Sequence, residues 1–149
     1  MLLLNGGPVT WFSRKQGVVA TSTTDAEYVA AHDAGKEIVW ARRLLKEIGC
    51  SQNKPTTLYC DNAAAEKLIA NPTFHRRTKH IDVKFHYTRQ LVENGTIDVK
   101  HVSSNRQLAD IFSKPQTRNL FEAKRKLLGV YFANMSASGS IEYNASSAF

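Results

Sequence analysis

The sequence predicts an α/β layered domain, in which strand patterns alternate with helical ones along the chain. Three observations carry this. Residues 1–4 and 8–13 are apolar runs around Asn5-Gly6-Gly7. A long stripe of small and aliphatic residues then repeats at steps of three and four. Two β-rich runs, 56–61 and 97–102, follow with helical periods between and after them.

Each element has its own local cause. Asn-Gly supplies positive φ at low cost, so the first two runs read as a β-hairpin. Ala26, Ala30, Ala34, Ile38, Ala41, Leu45 and Ile48 form one face of a helix over roughly 24–47, with Gly49 as its stop. The run 56–61 is apolar on both parities and reads as an interior strand. Asn62 can cap a short helix that ends before Asn71-Pro72. A basic loop, 73–80, leads to a helix over 82–93, which Asn94-Gly95 closes. In 97–102, Ile97, Val99 and Val102 are interleaved with Asp98, Lys100 and His101, which suits a half-exposed strand. Ser104-x-x-Gln107 is a capping-box pattern and predicts a helix ending near Pro115. Residues 117–128 predict one more helix. Beyond Gly129 no period remains. The expected organisation is one domain over 1–128 and a disordered tail over 129–149.

Composition excludes several classes. The chain has 149 residues, 42% of them hydrophobic, which suffices for one core. No run reaches the roughly 18 apolar residues of a membrane span. Residues 1–4 are too short for a signal-peptide core of about 7–15 residues. Cys50 and Cys60 are the two cysteines, and no Cys-x-x-Cys pair exists. A reducing, intracellular location in cytoplasm or nucleus is expected, with no membrane partner. The net charge of +7 suits a polyanionic partner such as nucleic acid.

Candidate chemistry rests on three carboxylates. Glu27 lies in the first turns of the long helix. It is either the end of a Thr24-x-x-Glu27 capping box or a site residue. Ser22-x-x-Asp25 offers a competing cap, which would release Glu27 and leave Asp25 to the helix dipole. Asp61 ends an apolar strand. It is either a cap for the next helix or a site residue at the carboxyl end of a strand, where open α/β sheets bind ligands. Asn62 can take the capping role. Asp110 stands beside Leu108, Ile111 and Phe112 in a predicted helix, as a solvent-facing residue or a third site carboxylate. Carboxylates converging in this way suit Mg²⁺ or Mn²⁺. His75, His80 and His86 lack zinc spacing. Arg76, Arg77, Lys79 and Lys84 form the densest positive cluster and are candidate phosphate contacts.

Ser22-Thr-Thr-Asp-Ala-Glu-Tyr28, Leu58-Tyr-Cys-Asp-Asn62 and Gln107-Leu-Ala-Asp-Ile-Phe112, taken in order, resemble the ribonuclease H domain of copia-type retrotransposon Pol polyproteins. Gly6-Gly7-Pro8-Val9-Thr10-Trp11, Lys36-Glu37 with Trp40-x-x-Arg43-Leu44-Leu45, and residues 74–83 extend the resemblance from residue 1 to about 128. The resemblance implies a ribonuclease H-like mixed sheet flanked by helices. It implies Mg²⁺-dependent hydrolysis of RNA in RNA–DNA hybrids, with Glu27, Asp61 and Asp110 as catalytic metal ligands. It also implies a fourth aspartate on a central first strand, which has no position here. An N-terminally truncated domain with impaired catalysis is the expectation. An open sheet edge able to self-associate is expected with it. The alternative expectation is a repurposed, non-catalytic binding protein. One form of it is a secreted pathogen effector acting in a host cell, for which Arg42-Arg43-Leu44-Leu45 gives a faint RxLR-like match.

Overall fold

A computed structural model describes residues 1–17, 19–20, 22–70, 79–131, 133–135 and 141–143. The order is β1 (Leu2–Leu4), β2 (Gly7–Thr10), α1 (Thr23–Glu47), β3 (Thr56–Cys60), α2 (Ala63–Ala70), α3 (Lys79–Glu93), β4 (Ile97–His101), α4 (Arg118–Leu127), β5 (Ala133–Met135) and β6 (Ile141–Tyr143). The mixed α/β class is as expected. Among the described residues the strands form three two-stranded sheets. The chain divides into two compact units, one mainly Ser13–Gln107 and the other mainly Leu3–Phe12 with Leu108–Phe149.

In the larger unit, β3 and β4 run parallel, with Thr56 opposite Ile97 and Cys60 opposite His101. The Val102 amide donates to the Cys60 carbonyl at 2.9 Å and extends the ladder by one rung. Helices α1, α2 and α3 bury this pair. Tyr28, Ala31 and Ile69 form one buried cluster with Leu58 and Val99 against it. Ile38, Leu91 and Ile97 form a second.

The stripe of α1 is rotated from the expected one. Tyr28, Val29, Ala31, Gly35 and Ile38 are buried, whereas Ala30 is exposed. Tyr28 has far more apolar surface to hide than an alanine, so it sets the rotation. Gly35 then lets α3 come close: a Cβ there would meet the Leu91 side chain at 2.9 Å.

Among the described residues, β3 has a strand on one side only: it pairs with β4 alone, and Tyr59 is 58% exposed. An apolar run on both parities did not require two covered faces, because tyrosine tolerates a wet hydroxyl end.

In the smaller unit, Asn5 and Gly6 take φ of 50° and 81°, which is the primed turn the Asn-Gly signal predicts. Trp11 stacks on Phe112 with ring centroids 5.6 Å apart. The helix expected over 104–115 is absent. Two 3-10 turns, Ser104–Arg106 and Leu108–Phe112, replace it. The two residues of the proposed capping box are used elsewhere, both in the larger unit. Ser104 Oγ donates to Asp61 Oδ2 at 3.1 Å, and Gln107 Nε2 donates to the Tyr59 carbonyl at 3.4 Å. Strands β5 and β6 pair antiparallel within the stretch expected to be a disordered tail, which shows no sequence period.

Candidate functional site

Helix α1 begins at Ser22, whose hydroxyl accepts from the Asp25 amide at 3.1 Å. The competing cap is therefore the one formed, and Glu27 is not needed to close a capping box. Asp25 itself is buried at 8% exposure, deeper than a dipole partner on a surface turn. Sequence reasoning set it aside because its spacing from Ser22 fits a surface cap so well.

The end of β3 is ordered in the same way. The Asn62 side-chain carbonyl accepts from the amides of Ala64 at 3.0 Å and Ala65 at 3.1 Å. That satisfies two of the donors a helix start leaves open. Asp61 is thereby released from capping, and its carboxylate instead accepts from Ser104, just past β4. The hydrogen bond ties the carboxyl ends of the two parallel strands together.

Cys60 reports the charge around this end. Its side chain is 4% exposed. Burial pushes the thiol above its ordinary value, against a hydrogen bond with the Asn62 backbone that lowers it. The carboxylates of Glu27, Asp61 and Glu66 push the same way as burial. Glu27 and Asp61 thus act on one buried group from two different places, α1 and the residue just past β3.

Asp110 belongs to the smaller unit. It lies in the second 3-10 turn, and its side chain is 13% exposed. Lys114 Nζ sits 2.9 Å from Oδ1, and Lys124 Nζ sits 3.8 Å from Oδ2. Lys124 is on α4 and is 2% exposed. A buried ammonium is costly without an anion beside it, and Asp110 is that anion. The sequence held a signal for this. Leu120, Lys124 and Leu128 recur at steps of four, which puts a lysine on an otherwise apolar stripe.

Among the described residues, no group of three or more His, Cys, Asp or Glu side chains is placed to hold a metal ion. Asp61 is engaged by a hydroxyl and Asp110 by two ammonium groups. The three carboxylates are the right donor class for Mg²⁺ or Mn²⁺; Glu27 and Asp61 belong to the larger unit and Asp110 to the smaller one. Of the basic cluster, Arg76 and Arg77 lie outside the described residues. Lys79 opens α3, and Lys84 stands half-buried on it. His101 is exposed at the end of β4. Among the described residues, no helix is long and apolar enough to cross a membrane.

Comparison with known proteins places most of the chain beside one group. It is 41% identical over 131 residues to the Retrovirus-related Pol polyprotein from transposon TNT 1-94 of Nicotiana tabacum, covering 88% of this chain and 10% of that protein. It is 40% identical over 130 residues to the Pol polyprotein from transposon RE1 of Arabidopsis thaliana, covering 87% and 9%. It is 39% identical over 139 residues to that from transposon RE2 of the same plant, covering 93% and 10%. The chain therefore spans about a tenth of the length of these relatives. A shorter match, 54% over 37 residues, is to Secreted RxLR effector protein 161 of Plasmopara viticola, covering 25% of this chain and 26% of that protein. No family model matches the chain, and no solved structure matches it at a significant level.

Proposed function

We propose that this chain is the ribonuclease H-like region of a copia-type retrotransposon Pol polyprotein. Its chemistry would be the hydrolysis of RNA in RNA–DNA hybrids, carried by Glu27, Asp61 and Asp110. The observation that supports this most is identity of 39–41% to three transposon Pol polyproteins over 87–93% of the chain. The helix caps next to two of the three carboxylates support the reading. Ser22 caps α1 and Asn62 caps α2, so neither role falls to Glu27 or Asp61.

Mg²⁺ or Mn²⁺, when bound, would activate a water and stabilise the leaving oxygen. These 149 residues supply three candidate carboxylates, Glu27, Asp61 and Asp110, and not the fourth, first-strand aspartate that the resemblance implies. A two-metal centre needs its ligands on rigid elements and in register, and small misplacements are costly. These 149 residues therefore cleave a hybrid poorly or not at all by themselves. Adding an upstream strand that bears an aspartate restores cleavage. The test compares hybrid cleavage by the chain with and without such a strand, with Asp61→Asn as control. Robust cleavage by the unextended chain, lost in Asp61→Asn, would overturn the claim of impairment. No cleavage by any extended form would overturn the hydrolase reading.

Hybrid or other nucleic acid is the proposed partner, held by Arg76, Arg77, Lys79 and Lys84 through phosphate contacts. Such binding weakens steeply with salt, because each neutralised phosphate releases a counterion. Binding that stays flat from low to moderate salt, or survives replacement of all four residues by Ala, would exclude this mode.

A secreted effector remains the second reading, and the 37-residue match is what favours it. The structure gives Arg42 of the Arg42–Leu45 run a different task. Its guanidinium donates to the carbonyls of Gln52 and Lys54 and to Thr56 Oγ1. An arginine clamped into the fold is poorly suited to serve as an exposed linear motif.

A further inference from the structure

The end of the larger unit where β3 begins carries a cleft that the hydrolase reading does not use. Its volume is about 610 Å³, within the roughly 300–1,000 Å³ of small-ligand sites. It lies between the last turns of α1, the segment leading into β3, and the end of α3. Strand β3 is five residues long, so at about 3.3 Å per residue the cleft is roughly 15 Å from Asp61.

The lining is charged with one sign. Arg42, Arg43 and Lys46 line it, and no Asp or Glu does. Three cations within one helical turn repel one another, and a concave wall concentrates their field. Arg42 is fixed in advance. It donates to the Gln52 carbonyl at 2.7 Å, the Lys54 carbonyl at 2.8 Å and Thr56 Oγ1 at 2.9 Å. None of these acceptors carries a charge, so the guanidinium is oriented without being neutralised. Arg43 and Lys46 are exposed beside it. An anion with several acceptor oxygens would relieve the repulsion and take donors from all three.

The rest of the lining suits a base more than a bare ion. Gln52, Gln90 and Asn94 line the cleft; Gln52 Nε2 also donates to the Cys50 carbonyl, and Asn94 Oδ1 accepts from Thr96. Amides donate and accept at once, as the edges of nucleobases require. Tyr87 adds a ring to the wall. It is already steadied by an edge-to-face contact with His32, at 5.2 Å between centroids.

We propose that this cleft binds the phosphate and base of one nucleotide, free or within a single RNA strand. Arg43 and Lys46 hold the phosphate beside the preset Arg42. The site is independent of the carboxylates, so it can exist whether or not the chain hydrolyses anything.

The test is calorimetric titration of the full chain with inorganic phosphate, with nucleoside monophosphates and with a short single-stranded RNA. Saturable binding of a nucleoside monophosphate, at least tenfold tighter than inorganic phosphate, is expected. Tighter binding of the RNA than of the monophosphate would identify the strand as the source, and the reverse would identify the free nucleotide. The Arg43→Ala/Lys46→Ala pair is expected to weaken binding tenfold or more, and Asp61→Asn to leave it unchanged. Both cations are exposed, so their loss spares the core. The milder Arg43→Gln/Lys46→Gln pair repeats the test if the alanine pair misfolds. No saturable binding of any of the three ligands would overturn the proposal. So would affinity kept within twofold in the paired variants, or phosphate binding as tightly as nucleotide. An effect of Asp61→Asn equal to that of the pair would mean that the ligand sits at the carboxylates instead.

Discussion

Lys124 and Asp110 form an ion pair in which the lysine is 2% exposed and the carboxylate 13%. The 3.8 Å separation is long for a hydrogen bond, yet the burial makes the charge of each necessary to the other. Lys114, 59% exposed at 2.9 Å from the same carboxylate, contributes less despite its shorter distance, because water screens it. Asp110→Asn is therefore expected to destabilise the chain by about 2–4 kcal/mol. Lys114→Ala is expected to cost about 0–1 kcal/mol. Replacing both members of the buried pair, as Asp110→Asn with Lys124→Met, should cost less than the sum of the single changes. Urea unfolding of the three variants and the double variant checks this. Additive losses would show that the two groups are not coupled.

How the chain could be read from its sequence follows from the same contrast. Features set by one local rule were legible. The Asn5-Gly6 turn, the Ser22 and Asn62 caps, and the strands over 56–60 and 97–101 all depend on neighbours within a few residues. Features set by distant partners were not legible. Ser104 and Gln107 carry a capping-box pattern but spend their side chains on Asp61 and Tyr59, more than forty positions away in sequence. The stripe of α1 turned toward Tyr28 because the core needed that ring. Asp110 could be named a site candidate from its motif, but the lysines that face it come from the next turn and from α4. A pattern of residues shows which groups are available, and only packing shows which partner each one takes.

Gly129 ends α4 with φ of +69°, and a Cβ built there would lie 2.8 Å from the Gly6 carbonyl oxygen. Both the left-handed backbone and the close approach to a main-chain atom oppose a side chain. Gly129→Ala should cost about 2 kcal/mol or more. Gly95 shares the positive φ, at +70°, but has open space around it. Gly95→Ala should therefore cost only about 1 kcal/mol. Parallel denaturant melts compare them, and equal losses would mean that the Gly129–Gly6 approach is not maintained in solution.

Tyr28 is fully buried in the larger unit, and burial pushes its hydroxyl from 10.0 to about 12, against the lowering effects of Thr88 and Arg89. The folded state therefore keeps this proton where the unfolded chain releases it. The stabilisation is complete below about pH 10 and is lost as pH rises toward 12. Two pH units correspond to roughly 2–3 kcal/mol. Phenolate absorbance should show one of the five tyrosines titrating late, and Tyr28→Phe should remove that component. A full set of phenolates by pH 10–11 in the folded chain would contradict the burial.

Cys60 tests whether Glu27 and Asp61 share one environment. Cys50 is exposed and Cys60 buried, so a thiol reagent near neutral pH should modify Cys50 first and leave Cys60 protected. In a Cys50→Ser background, only Cys60 remains to react. Burial is the larger cause of its raised value, and the carboxylates add to it. Glu27→Gln or Asp61→Asn should each bring the thiol down and speed its modification severalfold at a fixed alkaline pH, on the order of what one nearby charge contributes. Asp98→Asn, near the start of β4 and absent from the groups that act on Cys60, serves as the control. If the rate rises with Asp61→Asn but not with Glu27→Gln, the helix carboxylate points away from the strand end. Glu27 would then lose its place beside Asp61. If both variants speed the reaction and the control does not, the negative field at the end of β3 has two independent sources. That is the minimum any cation-binding role for these carboxylates requires.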